Sequence, residues 1–386
     1  MIPVEKIKLN KIKNSKGKPA IQATIFTKKG KAVASAPSGT SAGKYEAVYA
    51  PKPIDVLIKN AHKTVIPNLI GMDVLNQKSI DYALIDVDGT KNFSNIGGSV
   101  ATAISMACLR SASIANRKQV YEQLNPKNIM IPKMMGKCIG GGAHAEASTE
   151  IQEFLSIPIT DSIKTGVKLN KQVHSLVGKK LKAKKLDLEG GWIANISNER
   201  AIETLSEAVC EVSKKTGENI AIGIDVAASE FYKKGKYNSR TKKQQLKYMS
   251  ELIQKYDIYY IEDAFNEEDF DSFKELKKMH KSALICGDDL FTTNAGRLKR
   301  GKASCNSIII KPNQVGTITQ TQETVELAKK YAYVPVISHR SGETKDSMIA
   351  DLAVGWNIPF IKIGIVGRER TAKTSRLIQI EGENKK

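Results

Sequence analysis

Six times between residues 220 and 364 the chain repeats one phrase: a short apolar run rich in β-branched residues ends on, or carries, a charged side chain. The runs are IAIGID closing on Asp225, IYYIED with Glu262, ALICGDD with Asp288, SIIIK on Lys311, VPVISHRS with His339, and FIKIG carrying Lys362. Successive charged residues stand 37, 26, 23, 28 and 23 positions apart, about what a strand, a helix and two loops consume. Helix-like stretches fill the gaps. One of them, NERAIETLSEAVCEVSKKTG, has Asn198 placed to cap its start and Gly217 its end. Continuous apolar runs imply strands covered on both faces, and βα repetition implies a parallel sheet.

The stretch beyond the break at NPKNIMIPKMMGK runs to about 260 residues, the length of a (β/α)8 barrel. An open doubly wound sheet is the alternative. The expected organisation is a smaller α+β N-terminal domain at 1–125, carrying the loop SAPSGTSAGKYEA, and an α/β barrel domain at 126–386. In a barrel, every charged residue above converges on the C-terminal rim. Two further stretches feed that rim. HAEASTEIQEF places His144, Gln152 and Glu153 ahead of the barrel units, and LDLEGG puts Glu189 before a Gly pair that permits a sharp turn.

Three acids at the ends of consecutive strands repel one another strongly in a partly dry site. A hard divalent cation relieves that repulsion, and carboxylate-only ligation suits Mg²⁺ better than a metal calling for Cys or His. Lys311 emerges into a site already holding cations, and nearby positive charge lowers a lysine's pKa toward a usable base. With Lys362, Arg340 and Ser341 it forms a pocket for a small polyanion.

Composition narrows the function classes. The net charge is +20, but the lysines are spread along the chain and the densest run, GKKLKAKKLD, has no interleaved aromatics for base stacking. Nucleic acid is therefore not the expected partner. Five scattered cysteines without a CxxC pair argue against a disulfide framework and a zinc site. No window approaches the roughly 18 uninterrupted apolar residues of a membrane span, and the expected location is the cytoplasm.

The motifs PSGTSAGKYEA, GGGAHAEASTEIQEF, LEGG, GIDVAASEFY, YIEDAF, GDDLFTTN, KPNQVGTITQT, SHRSGET and IKIG come in one order over residues 37–364, and in that order the chain resembles the enolases. The resemblance implies an enolase-type barrel that dehydrates 2-phosphoglycerate to phosphoenolpyruvate reversibly with Mg²⁺, in a homodimer or higher oligomer. It implies Asp225, Glu262 and Asp288 as ligands of a first Mg²⁺, and Ser41 as the contact to a second that arrives with substrate. It implies Lys311 as the base and Glu189 as the acid, with Glu153 and His144 beside it. Gln152, His339, Arg340, Ser341 and Lys362 hold the substrate. The chain departs from the family at Lys16 in NSKGKPA, at Leu188 in DLEGG and at Ala264 in IEDAF. Two rival readings are an enolase-like protein that has lost catalysis and serves as a basic scaffold or RNA-binding module, and a related enzyme acting on another carboxylate.

Overall fold

The computed structural model describes residues 1–39, 43–124, 129–145 and 148–384. The N-terminal part is an antiparallel meander of β1 (Lys6–Lys13), β2 (Pro19–Thr27) and β3 (Gly30–Ser35). Helices Ile54–Thr64, Gln77–Asp88 and Gly98–Ala115 follow. By length and composition Gly98–Ala115 is able to cross a membrane, but 83% of it is buried. Its Ala and Ser residues let it lie close against β2 and β3 as the core helix of this part.

The remaining strands are β4 (Lys133–Gly140), β5 (Glu153–Pro158), β6 (Trp192–Ile193), β7 (Ile220–Asp225), the hairpin β8 (Tyr232–Lys233) and β9 (Lys236–Tyr237), then β10 (Ile258–Glu262), β11 (Leu284–Gly287), β12 (Ser307–Ile310), β13 (Val334–Ser338) and β14 (Phe360–Gly364). Eight of them close a barrel in the order β4, β5, β7, β10, β11, β12, β13, β14, and β14 pairs back onto β4 from Phe360–Lys133 to Gly364–Lys137. The short β6 hangs on β4 outside the ring.

One strand departs from the expected parallel sheet. β5 runs antiparallel to both β4 and β7. Among the described residues between β4 and β5 there is a short 3₁₀ turn, Gly142–His144, but no crossover helix, and without a crossover neighbouring strands must reverse. Both helices Ile163–Leu181 and Asn198–Thr216 come only after β5. The reversal brings the first residue of β5, Glu153, to the rim where the other strands end, level with Asp225 and Gly140. Glu153 therefore does not precede the barrel but belongs to it, with Gln152 next to it and His144 on the connecting loop. The segment read as a break likewise contains the first barrel strand.

Alternation in these strands is hidden rather than absent. Outward residues such as Ile261, Ile310, Ile337 and Ile361 are apolar because helices cover them. Inward residues form a separate apolar plug that includes Met135, Leu155, Tyr260, Cys286, Ile309, Val336 and Phe360. Two positions further toward the rim, the same inward face carries Lys137, Glu153, Glu262, Asp288, Lys311, Ser338 and Lys362. Each strand thus turns from oil to charge at one height.

Asn198 does not cap its helix; Ser197 does, accepting the Arg200 N–H, while Gly217 ends it in the left-handed region at φ 75° as expected. Asn198 Oδ1 instead accepts the Ile151 N–H at 3.0 Å, steadying the strand entry beside Gln152. The five cysteines are free thiols, and all but Cys210 are buried.

Candidate active site

A narrow cleft opens at the barrel rim. His144, Gln152, Glu153, Glu189, Asp225, Asp288, Lys311, His339, Arg340, Ser341 and Lys362 all line it. Glu262 lies just beneath, fully buried. The remaining expected residue, Ser41, falls outside the described residues. The N-terminal part contributes Gly39 and Glu46 to the wall, because the segment after β3 pairs with the rim through Ser38 and Gly342.

On one side of the cleft acids and lysines interlock. Lys362 Nζ lies 2.7 Å from Asp225 Oδ2, 2.7 Å from Glu262 Oε2 and 3.2 Å from Glu153 Oε2. Lys311 pairs with Asp288 Oδ2, whose other oxygen accepts from Gln314 Nε2 at 2.9 Å. Burial, then the neighbouring Asp225, pushes the Glu262 carboxyl up to about 7. The loop holding Asp288 is fixed from below by Asp263, whose carboxylate accepts the N–H groups of Asp288 and Asp289 at 2.9 and 2.8 Å.

The Lys311 ammonium differs from expectation. Burial is the largest influence and lowers its pKa, but the carboxylates around it, Asp288 first and then Glu262, together bring the net shift upward. Its base form becomes accessible only when Asp288 is otherwise engaged.

The opposite side holds a second cluster, centred on a residue that was not expected there. Lys137 Nζ sits 2.7 Å from Asp187 Oδ2, 2.9 Å from Glu189 Oε2 and 3.5 Å from Glu153 Oε1, and donates to His144 Nδ1 at 2.9 Å. An ammonium can only donate, so His144 Nδ1 accepts and the imidazole proton lies on Nε2. The two carboxyls beside it are pushed apart. Burial pushes Glu153 up to about 8. Burial would also raise Glu189, but Lys137, His144 and His339 hold it well below the usual range. Of the two, Glu153 is the carboxyl that holds a proton more readily.

The acid missing at exposed Leu188 is present one position earlier, where Asp187 turns inward; a Cβ on Gly140 would stand 1.9 Å from its Oδ2. Gly140→Ala is expected to displace that carboxylate and cost about 1–3 kcal/mol. Thermal unfolding measures this, and an unchanged midpoint would contradict the packing.

The third wall is cationic. Arg340 is held by Glu46 across the two parts of the chain, Nη1 to Oε2 at 2.8 Å and Nη2 to Oε1 at 3.3 Å. His339 Nδ1 is buried without a hydrogen-bond partner, and burial with the nearby Arg370 keeps the ring neutral. Arg370 also donates to the backbone oxygens of Leu188 and Ser341, tying the Glu189 turn to the Arg340–Ser341 loop.

Sequence reasoning named neither Lys137 and Asp187 nor the supports Glu46, Asp263 and Arg370. Lys137 had a signal: a charge in the middle of the apolar run KMMGKCIG.

The acids also suit a cation. Glu262 Oε1 is buried without a hydrogen-bond partner, and Asp225 and Asp288 both act on its charge. Three carboxylates with no thiol among them match a hard divalent ion. Among the described residues the tightest groupings of ligand atoms are His144, Glu153 and Glu189, and Asp263, Asp288 and Asp289; in the expected triad, lysine Nζ atoms lie between the acids instead.

The comparisons with known proteins agree with this geometry. A family model described as "Enolase, C-terminal TIM barrel domain" matches residues 128–385, and one described as "Enolase, N-terminal domain" matches residues 4–124. An enolase of Methanosphaera stadtmanae is 43% identical over 98% of this chain and 97% of its own length. Enolases of Natronomonas pharaonis and Methanocorpusculum labreanum are each 40% identical, over 99% of both chains. With the rim, the cleft and full-length similarity in agreement, the chain belongs to the enolase family of carbon–oxygen lyases, the phosphopyruvate hydratases.

Proposed function

We propose that the protein interconverts 2-phosphoglycerate and phosphoenolpyruvate with two Mg²⁺ per site, as a cytoplasmic homo-oligomer. The observation that carries the site assignment is the position of Lys311 relative to the acid pair. In the eight-strand ring β12 lies four strands from β5 in either direction, so Lys311 faces Glu153 and Glu189 from across the cavity. A base and an acid on opposite walls suit removal of a proton from one face of a substrate and departure of hydroxyl from the other.

Lys311 takes the C2 proton, and the electron pair left on C2 spreads into the carboxylate. Lys362 faces that carboxylate with fixed positive charge. Arg340 and Ser341 hold the phosphate, Gln152 and His339 bound the substrate beside them, and Ser38 pairs with Gly342 at the same rim. As the C2–C3 double bond forms, the C3–O bond breaks and the hydroxyl leaves as water, taking a proton from the pair of Glu189 and Glu153 beside His144. Asp225, Glu262 and Asp288 would hold a divalent cation, which would supply charge against the doubly negative carboxylate and offset the Asp288 charge that otherwise keeps Lys311 protonated.

Phosphoenolpyruvate formation from 2-phosphoglycerate with Mg²⁺ tests this reading, and absence of turnover in folded protein would refute it. A pH dependence follows. Glu153 holds its proton below about 8 and loses it above, so kcat is expected to fall as pH rises through that value. Glu153→Gln should lower kcat and remove that alkaline limb; a limb surviving in the variant assigns it to another group.

A further inference from the structure

The reaction as derived leaves the buried ion pair of Lys137 and Asp187 without a task. The Lys137 side chain is 1% exposed and the Asp187 side chain 0%, and a charge so far from water is kept only with close partners. The chain makes room for it. A Cβ on Gly140 or Gly191 would come within 3.3 or 3.0 Å of Lys137 Cε. Asp187 acts twice: Oδ2 anchors the ammonium, and Oδ1 accepts the N–H groups of Glu189 and Gly191 at 2.9 Å each, shaping the turn that carries Glu189. His144, Glu153 and Glu189 offer ligand atoms within 4.8 Å of one another, a set that would attract a free cation; the ammonium of Lys137 already stands among them.

We propose that Lys137, anchored by Asp187, is the positioning residue of the acid pair: an internal cation that orients Glu189 and His144 toward the cleft. The proposal rests on the reading of Glu189 and Glu153 as that pair. It accounts for the shift of an acid from position 188 to 187, since only an inward carboxylate at 187 reaches the ammonium. Lys16, His339 and Arg370 also face this loop and remain in place in the test.

Lys137→Met alone leaves the Asp187 and Glu189 carboxylates without their close counter-charge and is prone to unfold. The paired variant Lys137→Met/Asp187→Leu carries the test, because a buried ion pair replaced whole by apolar groups is often tolerated. Its kcat is expected to fall roughly 10²-fold with KM nearly unchanged, because Glu189 and His144 lose their anchor while the groups that hold the substrate stay in place. A folded paired variant with kcat within about three-fold of the parent, or with KM raised as much as kcat falls, overturns the proposal. Glu189→Gln separates the two readings: an active Glu189→Gln enzyme refutes the acid pair, whereas an inactive one beside a fully active paired variant refutes the role of Lys137 alone.

Discussion

Lys311→Ala is expected to abolish turnover, with kcat reduced by about 10⁴-fold, the upper end of what one proton-transfer group supplies. The residue follows β12 directly, and its ammonium reaches the cleft opposite the acid pair. No other described lysine occupies that wall. Lys362, on β14, is held by Glu153, Asp225 and Glu262 and has the higher demand for its proton. The variant should also lose exchange of the C2 hydrogen of 2-phosphoglycerate with deuterium from solvent, a step that precedes loss of hydroxyl. Retained exchange with lost turnover would move the base role elsewhere, and full activity would remove it. Losing the ammonium leaves Asp288 with Gln314 as its side-chain partner, so circular dichroism must accompany the assay.

Chelation is expected to be as severe. EDTA should remove all activity, and added Mg²⁺ should restore it. Asp225→Asn should need far more Mg²⁺ and lose on the order of 10²-fold in activity at fixed metal, by weakening one of three anionic ligands. The physical reason is the stacking of charge at one height of the barrel. Glu262 is wholly buried, and its carboxyl is pushed up by burial and by Asp225; a divalent ion reverses that push. Activity indifferent to EDTA would contradict the account.

The rim was legible because strand ends are legible. Asp225, Glu262, Asp288, Lys311 and His339 each close or follow an apolar run, and a closed parallel sheet leaves such residues one place to meet. Strand direction was not. Nothing in EFLSIP says that β5 runs backward; only the lack of a helix between β4 and β5 does, and the Gly-rich loop there reads equally well as a linker. Lys137 was hidden by number, as one of 60 Lys and Arg, and by the habit of reading lysine as surface. Asp263 was hidden by geometry: it follows Glu262 in sequence but sits in the left-handed region at φ 43°, which turns it beneath the Asp288 loop. The expected depression of Lys311 failed for a related reason. The sequence supplies the cations of the pocket but not the distances to Asp288 and Glu262, and those carboxylates decide the sign.

The central claim is that Asp225, Glu262 and Asp288 share one divalent ion. A crystal of the protein soaked with Mn²⁺, its anomalous signal locating the metal, tests this directly. The account predicts one strong peak with an oxygen of each of the three carboxylates about 2.1–2.2 Å away, and with Lys311 Nζ withdrawn from Asp288. A peak on His144, Glu153 and Glu189, or on Asp263, Asp288 and Asp289, with none among the three strand-end acids would contradict it.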